Sequence, residues 1–238
     1  MALRRQFECL QRYAACGADT FRMKLWAPLG FQEFTPFLKK LDKKADALFL
    51  LTSNVAATII PKEIKTLGIK LPVVAGGTTL DESVLPHLGD EVIGWVSVSP
   101  YSAALETPAN KRFVSAFEAK YHRVPSFFAE GGYTSGMWIA KAVNDLHGDV
   151  SNNEKVLAAL KNVELADAPR GPVKLDDRAN PIENMYVRRV EKVHGKLQNT
   201  VIHTFNNVGQ FWHWSPSEFL KQPVYSRDYP PCRFCAKT

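Results

Sequence analysis

The sequence predicts an α/β fold built on parallel strands, and three observations carry that expectation. Residues 45–51, 71–75 and 94–99 are short, mostly apolar runs of the kind that forms strands buried on both faces. Between the first two lies a segment of about 13 residues, 55–67, with helical spacing of its apolar side chains. Each early run ends in small or polar residues, Thr52-Ser53-Asn54 and Gly76-Gly77-Thr78, suited to a sharp strand-to-helix turn. Helices alternating with strands in this way give a parallel sheet.

Taken in order, the chain opens with a helix ending at Cys16-Gly17, where glycine supplies a stop. A strand over residues 20–27 follows, with Phe21, Met23 and Leu25 alternating against Arg22 and Lys24. Phe34, Phe37, Leu38 and Leu41 give helical spacing over 34–44. The helix over 55–67 stops at Gly68 and contains Pro61, which removes a backbone bond and predicts a kink or a restart. Residues 100–108 are polar and contain prolines, and read as a crossing to a second structural unit. Helices then run over 109–121, 132–146 and 151–160, the last with Ser151 as N-cap and Glu154 completing a capping box. The final third turns to strands at 171–175, 185–193 and 198–205, with turns at Asp176-Asp177 and His194-Gly195.

Composition narrows the function classes. The 238 residues are 45% hydrophobic and 23% charged, ordinary folded material. A net charge of +6 would suggest nucleic acid if it clustered, but lysines and arginines sit among acids, as in Lys39-Lys40-Leu41-Asp42-Lys43-Lys44. No nucleic-acid partner is expected. The longest apolar stretch, 45–60, is interrupted by Asp46, Thr52, Ser53 and Asn54 and falls short of a membrane-spanning helix. The start has charges without an apolar core, so it does not read as a signal peptide, and the chain as written is expected to stay in the cytoplasm. Cys9 and Cys16 lie near the start, and Cys232 and Cys235 form a Cys-x-x-Cys in the tail with no second ligand pair for zinc and no βαβ context for redox work.

Catalysis is not expected, nor is a metal or cofactor. His87, His122, His147, His194, His203 and His213 are scattered, without a His-Glu-x-x-His or Gly-x-Ser-x-Gly pattern. Asp81-Glu82 and Asp176-Asp177 are paired acids on turns, where capping is the commoner use. Walker and Rossmann glycine patterns are absent. The stretch Phe211-Trp212-His213-Trp214 reads as an anchor folding the tail back onto residues 1–98, with an extended surface segment over 216–231.

An ordered series of motifs over residues 24–205 resembles a known family. It begins with Trp26-Ala27-Pro28-Leu29-Gly30, Glu33-Phe34 and Lys44-Ala45-Asp46-Ala47. It continues through Gly76-Gly77-Thr78, Asp81-Glu82-Ser83, Tyr101-Ser102, Thr107-Pro108-Ala109-Asn110, Phe117 with Lys120-Tyr121, and Gly132-Tyr133. Pro169-Arg170-Gly171-Pro172-Val173, Asp176 and Asn184-Met185-Tyr186-Val187-Arg188 complete it. Together these are similar to the leucine/isoleucine/valine-binding, type I periplasmic solute-binding proteins of ABC importers, without a counterpart of their first ~110–130 residues, about one folding unit.

The resemblance implies a type I periplasmic-binding-protein fold: two parallel-sheet lobes with a hinge, the first lobe incomplete. Residues 1–98 would form the main part of the second lobe, 103–188 the remainder of the first, and 189–238 the hinge return, second-lobe strands and an extended tail. It further implies a periplasmic location for the family, capture of an amino acid or other small polar or carboxylate solute between the lobes, and delivery to an ABC permease in the membrane. A ligand-sensing regulatory domain of the same fold is the alternative; a hydrolase or thiol redox enzyme is a third reading from another class.

In α/β sheets a ligand sits beyond the carboxyl ends of the strands, where helix N-termini present unpaired N–H groups. That principle selects Thr52, Ser53 and Asn54, with plain helix capping as the competing use, and Gly76, Gly77 and Thr78, where glycine permits close approach or simply a turn. Phe128 and Glu130, just before the expected helix at Gly132, match the stretch that brings an aromatic wall to the cleft in the resembled proteins; singly, a core Phe and a solvated Glu are the plainer reading. Amino-acid binders of the family carry an acid near the second loop to pair with the ligand's ammonium, where this chain has Gly77 and its nearest acids, Asp81 and Glu82, come later.

Overall fold

A computed structural model describes residues 23–224 apart from residues 29 and 43. The expected first helix, residues 20–22 of the first expected strand, and Cys9, Cys16, Cys232 and Cys235 lie outside the described residues. Residues 23–28 form no strand. The apolar members of that alternation, Met23 and Leu25, stay exposed and find no core to enter.

The helix expected over 34–44 is reduced to α1, Thr35–Leu38. Beyond it Asp42 Oδ1 accepts a bond from the Lys44 amide at 2.8 Å, a local turn that competes with helix, and the flanking lysines repel one another along a helical path. Next come β1 (Leu48–Leu50), α2 (Asn54–Thr66), β2 (Val73–Gly76) and β3 (Val96–Ser99). β1, β2 and β3 pair in parallel, Leu48 against Val73 and Val74 against Val96. α2 buries Ala57, Ile60, Pro61 and Ile64, an i, i+3, i+4, i+7 stripe. It runs through Pro61 without restarting and ends at Gly68, whose φ of +65° lets the Ile69 amide reach back to the Ile64 carbonyl. Ile60 and Ile64 meet Leu50, Val73, Ala75 and Leu80 in the largest apolar core, which also takes Val190 from a later strand.

The crossing over 100–107 is fastened by Asn110, whose side chain donates to the Ala103 and Leu105 carbonyls at 3.0 and 2.9 Å and accepts from Tyr101 Oη at 3.0 Å. Asn110 belongs to α3 (Pro108–Tyr121), which is capped by Thr107. Then follow α4 (Phe127–Asp145), α5 (Asn153–Asn162), β4 (Glu164–Leu165) and β5 (Val173–Leu175). α4 begins five residues earlier than expected, because Ser126 caps it by accepting from the Ala129 amide at 3.1 Å. α5 is capped by Asn152 in place of Ser151, whose hydroxyl is taken by Asp149 at 2.6 Å.

The last two long strands, β6 (Pro181–Val193) and β7 (Lys196–Val208), form one hairpin. Its turn, His194-Gly195, has both residues at positive φ, 49° and 78°, as a two-residue hairpin of matching twist requires. Along one edge β6 pairs first with β5, through residues 181–183, and then with β3, through residues 186–189, while its other edge carries β7. All seven strands among the described residues thereby join one sheet, six of them in the order β1-β2-β3-β6-β5-β4 and β7 off that path on β6. The parallel pairs lie at the β1–β3 end; every pair involving β4–β7 is antiparallel.

The aromatic stretch after β7 does not fold onto the β1–β3 end as expected. Gln210 donates to Asp176 at 2.7 Å and Arg178 stacks over Phe211, so the stretch sits at the β5–β6 turn, where the end of β7 delivers it. Part of the segment read as extended is helical: α6 (Pro216–Lys221) is capped by Ser215 and its Phe219 stacks on Phe211.

α4 is unevenly covered. Of its 19 residues only Glu130, Thr134 and Ala142 are buried, and Phe128, Tyr133 and Ile139 face outward. In chemical denaturation, Ile64→Ala should cost ~2–5 kcal/mol, the range for emptying a core site. Ile139→Ala on the bare face should change stability by less than ~0.5 kcal/mol.

Candidate functional site

The site is assembled from the loops after β1 and β2 and from the start of α4. After β1, Ser53 stands at the N-cap of α2 without bonding its side chain to the helix, and Asn54 enters the helix at φ +54°. Both residues are exposed. The first-turn amides of α2 therefore lack the side-chain cap that the residue types suggest, and they point their partial positive charge outward.

Thr52 is held from below. Its amide donates to Thr79 Oγ1 at 3.0 Å, and its carbonyl accepts from the Thr79 and Thr78 hydroxyls at 2.9 and 3.1 Å. Thr78 is thus spent joining the two loops. Gly76 and Gly77 are buried, and a Cβ on Gly77 would lie 2.8 Å from the Val98 carbonyl. Packing against β3 accounts for the glycine at 77 without a ligand.

The start of α4 is tied to the second loop by Asp81. Its Oδ2 accepts from the Phe127 amide at 3.0 Å, and its Oδ1 accepts from the Ser83 amide and hydroxyl at 3.0 and 2.5 Å. Phe128 and Glu130 therefore lie in the first turn of a helix, not before one, and their environments reverse what each residue type suggests. Phe128 is 63% exposed and Glu130 fully buried. Arg170 donates to Glu130 Oε2 through Nε at 2.8 Å and Nη2 at 2.5 Å, and to Glu183 through Nη1 at 2.8 Å. Thr134 donates to Glu130 Oε1. Burial alone would lower the Arg170 pKa, but its bonds to Glu130 and Glu183 outweigh burial and raise it, so the guanidinium stays charged. Glu130 is committed to this pairing and offers no free oxygen to a solute.

Beside Arg170 a cavity of about 360 Å³ opens between α4 and β5–β6, lined mainly by Phe127, Phe128, Trp138 and Val173. A second, of about 280 Å³, lies at the start of α3 near Arg112 and Asp167.

A polar cluster that the sequence reading did not single out sits under the loop after β2. Arg188 on β6 is fully buried. It donates to the Tyr101 carbonyl at 2.8 Å, the Gly77 carbonyl at 3.3 Å and Ser97 Oγ at 3.2 Å, and lies 3.4 Å from Glu82. The Asn199 side chain on β7 donates to the Leu80 carbonyl at 2.7 Å, and the Asn199 backbone carbonyl accepts from the Ser102 hydroxyl at 2.6 Å. Burial pulls the Arg188 pKa down, and the neighbouring carboxyls of Glu82 and Asp81 act against that fall. The same burial, with Glu82 and Glu130 nearby, raises that of the Tyr101 hydroxyl. The available signal was period-two alternation: Tyr186, Arg188 and Val190 share the buried face of β6, while Arg189 points out.

Among the described residues no three His, Cys, Asp or Glu side chains converge as a metal site would require. No described helix is long and apolar enough to cross a membrane.

With that geometry in hand, the likeness to known proteins is specific. The family described as "Periplasmic binding protein" matches residues 9–196. A Leu/Ile/Val-binding protein homolog 6 from Brucella suis biovar 1 (strain 1330) is 29% identical over 192 residues, 76% of this chain and 48% of that one. The chain spans about half the length of the curated relatives it matches. Among solved structures, an ABC transporter substrate-binding protein from Sphaerobacter thermophilus is 30% identical, with TM-score 0.72 over 76% of this chain and 51% of that one. A solute-binding protein from R. palustris in complex with 4-hydroxybenzoate is 25% identical, with TM-score 0.77 over 84% and 56%. A family match over most of the chain, agreeing with a sheet whose long hairpin bridges two cores, places this protein: it belongs to the periplasmic binding protein family.

Proposed function

We propose that this chain is part of a solute-capturing component of an ABC importer, and that its solute is a small carboxylate, an aromatic acid in preference to an amino acid. The observation that carries the reading is the uncapped start of α2. Ser53 and the amides behind it face outward at a strand end, braced from below by Thr52, Thr78 and Thr79, and that array suits an anionic head group. Phe128, standing out from the start of α4, supplies an aromatic wall.

The preference against an amino acid rests on charge. Gly77 offers no acid, and both carboxyls that follow are buried and engaged, Asp81 with Phe127 and Glu82 with Arg188 and Asn199. Neither is placed to meet a ligand's ammonium, whereas a carboxylate without an ammonium needs no such partner. The relatives' ligands span both classes, including 4-hydroxybenzoate and leucine.

In this reading Ser53, Asn54, Phe128 and the α2 amides contact the solute, while Thr52, Gly76, Gly77 and Thr78 shape the loops and Glu130 anchors the helix that carries Phe128. Residues up to 98 belong to the second lobe and 103–188 to the first. The hairpin return beyond 189 ends with residues 204–221 beside the first lobe. The rest of the first lobe covers the bare face of α4 around Tyr133 and Ile139. The protein closes its lobes on the solute, does no chemistry on it, and hands it to a membrane permease.

The test completes this chain with the half of the Sphaerobacter thermophilus relative that it does not span. 4-Hydroxybenzoate should raise the melting temperature saturably, and leucine should raise it less. Ser53→Ala should weaken 4-hydroxybenzoate binding roughly tenfold, ~1.4 kcal/mol. A stronger response to leucine, or unaltered affinity in Ser53→Ala, refutes the assignment.

A further inference from the structure

We propose that Glu82 is a neutral carboxylic acid in the folded protein, its Oε2 proton donated to Asn199 Oδ1, so that an acid–amide pair clasps the loop after β2 to β7. The inference does not depend on which solute is bound.

The geometry separates the two oxygens of Glu82. Three donors converge on Oε1: the Ala103 amide at 3.3 Å, Asn199 Nδ2 at 3.2 Å and Arg188 Nη1 at 3.4 Å. Oε2 is buried and has no partner. An ionised carboxyl shares its charge equally between its oxygens and accepts at both; a protonated one accepts at its carbonyl and donates from its hydroxyl. The observed division is that of the protonated form.

Asn199 shows the complementary gap. Its Nδ2 donates to the Leu80 carbonyl and to Glu82 Oε1, which fixes the amide's orientation, since the flipped amide would set an oxygen against two acceptors. Its Oδ1 is buried and unpartnered. Two neighbouring side chains thus leave one acceptor each unsatisfied, and a single proton on Glu82 Oε2 satisfies both. An acid and a primary amide then share two bonds, N–H to Oε1 and O–H to Oδ1.

Charge balance points the same way. Asp81 on the same loop, Arg188 on β6, and Asn199 on β7 face Glu82, with Tyr101 and Ala103 on the crossing. The nearby buried charges are therefore two carboxyls and one guanidinium. Asp81 has both oxygens filled by donors, as a carboxylate does, and its charge acts on Arg188 as well. A second carboxylate charge at Glu82 would be unmatched among buried side chains. Burial raises the Glu82 pKa most strongly; Arg188 opposes the rise and Asp81 adds to it.

Folding therefore raises the proton affinity of Glu82. Its contribution to stability is complete below the ordinary glutamate pKa of about 4.3 and is lost as the pH rises through the folded value. Glu82→Gln replaces the hydroxyl with an amide donor that keeps the clasp without a proton.

Infrared spectra of the wild-type chain at neutral pH should contain a protonated-carboxyl carbonyl band that disappears in Glu82→Gln. The variant should melt at or above the wild-type temperature at neutral pH, because the wild-type contribution is already declining above about pH 4.3, and show a shallower loss of stability toward alkaline pH. Absence of the band in the wild-type protein overturns the proposal, whether or not the variant folds. So does an unchanged alkaline slope in a folded variant.

Discussion

A guanidinium sealed from water has to find its partners inside the protein, and Arg188 finds them where four segments of the chain meet. Its bonds reach the loop after β2 through Gly77, the strand β3 through Ser97 and the crossing over residues 100–107 through Tyr101, while its own strand pairs with β3 and β7 at that point. Removing one partner from such a buried set costs ~3–5 kcal/mol, because the charge left behind has no solvent. The cluster thus specifies one arrangement of four segments that the apolar cores leave open. The largest core lies to one side of the junction, around Leu50, Ile64 and Val190, and the two smaller ones on the other, around Phe113 and Ala142.

The candidate binding surface rests on that junction. Gly77 is held from beneath by Arg188, Thr78 and Thr79 fasten the neighbouring loop, and Asp81 positions the first turn of α4 through the Phe127 amide. What remains outward-facing is a short set of polar groups at the start of α2 and one aromatic ring. Rigid backing with few exposed polar groups is the economy of small-molecule sites, where orientation matters more than the number of contacts. The same logic explains the glycine at 77: the backbone of β3 comes too close for a side chain.

The sequence conveyed the architecture better than the chemistry. Apolar spacing located α2, β1, β2 and β3, because each buries a simple periodic face, and motif order identified the family. Boundaries failed where side chains bond locally: Asp42 ended α1 early, Ser126 started α4 early and Asn152 displaced Ser151 as a cap. Site residues were harder, since their type did not reveal their partners. Glu130 looked solvent-facing and is sealed by Arg170, 40 positions away, and Phe128 looked like core and stands in the open. Asp81 and Glu82 read as turn acids because Phe127 and Asn199, 46 and 117 positions away, are brought to them only by the tertiary fold. Arg188 alone was recoverable, from its parity with Tyr186 and Val190 on β6.

The claim that one buried guanidinium joins these segments is tested most directly by amide hydrogen exchange on Arg188→Met, which keeps much of the volume and removes the donors. Protection should fall together in residues 77–82, 101–105 and 197–201, three segments distant in sequence, while the β1–α2 core retains its wild-type protection. Loss confined to the neighbours of residue 188 along β6, or spread evenly over the whole protein, would contradict it.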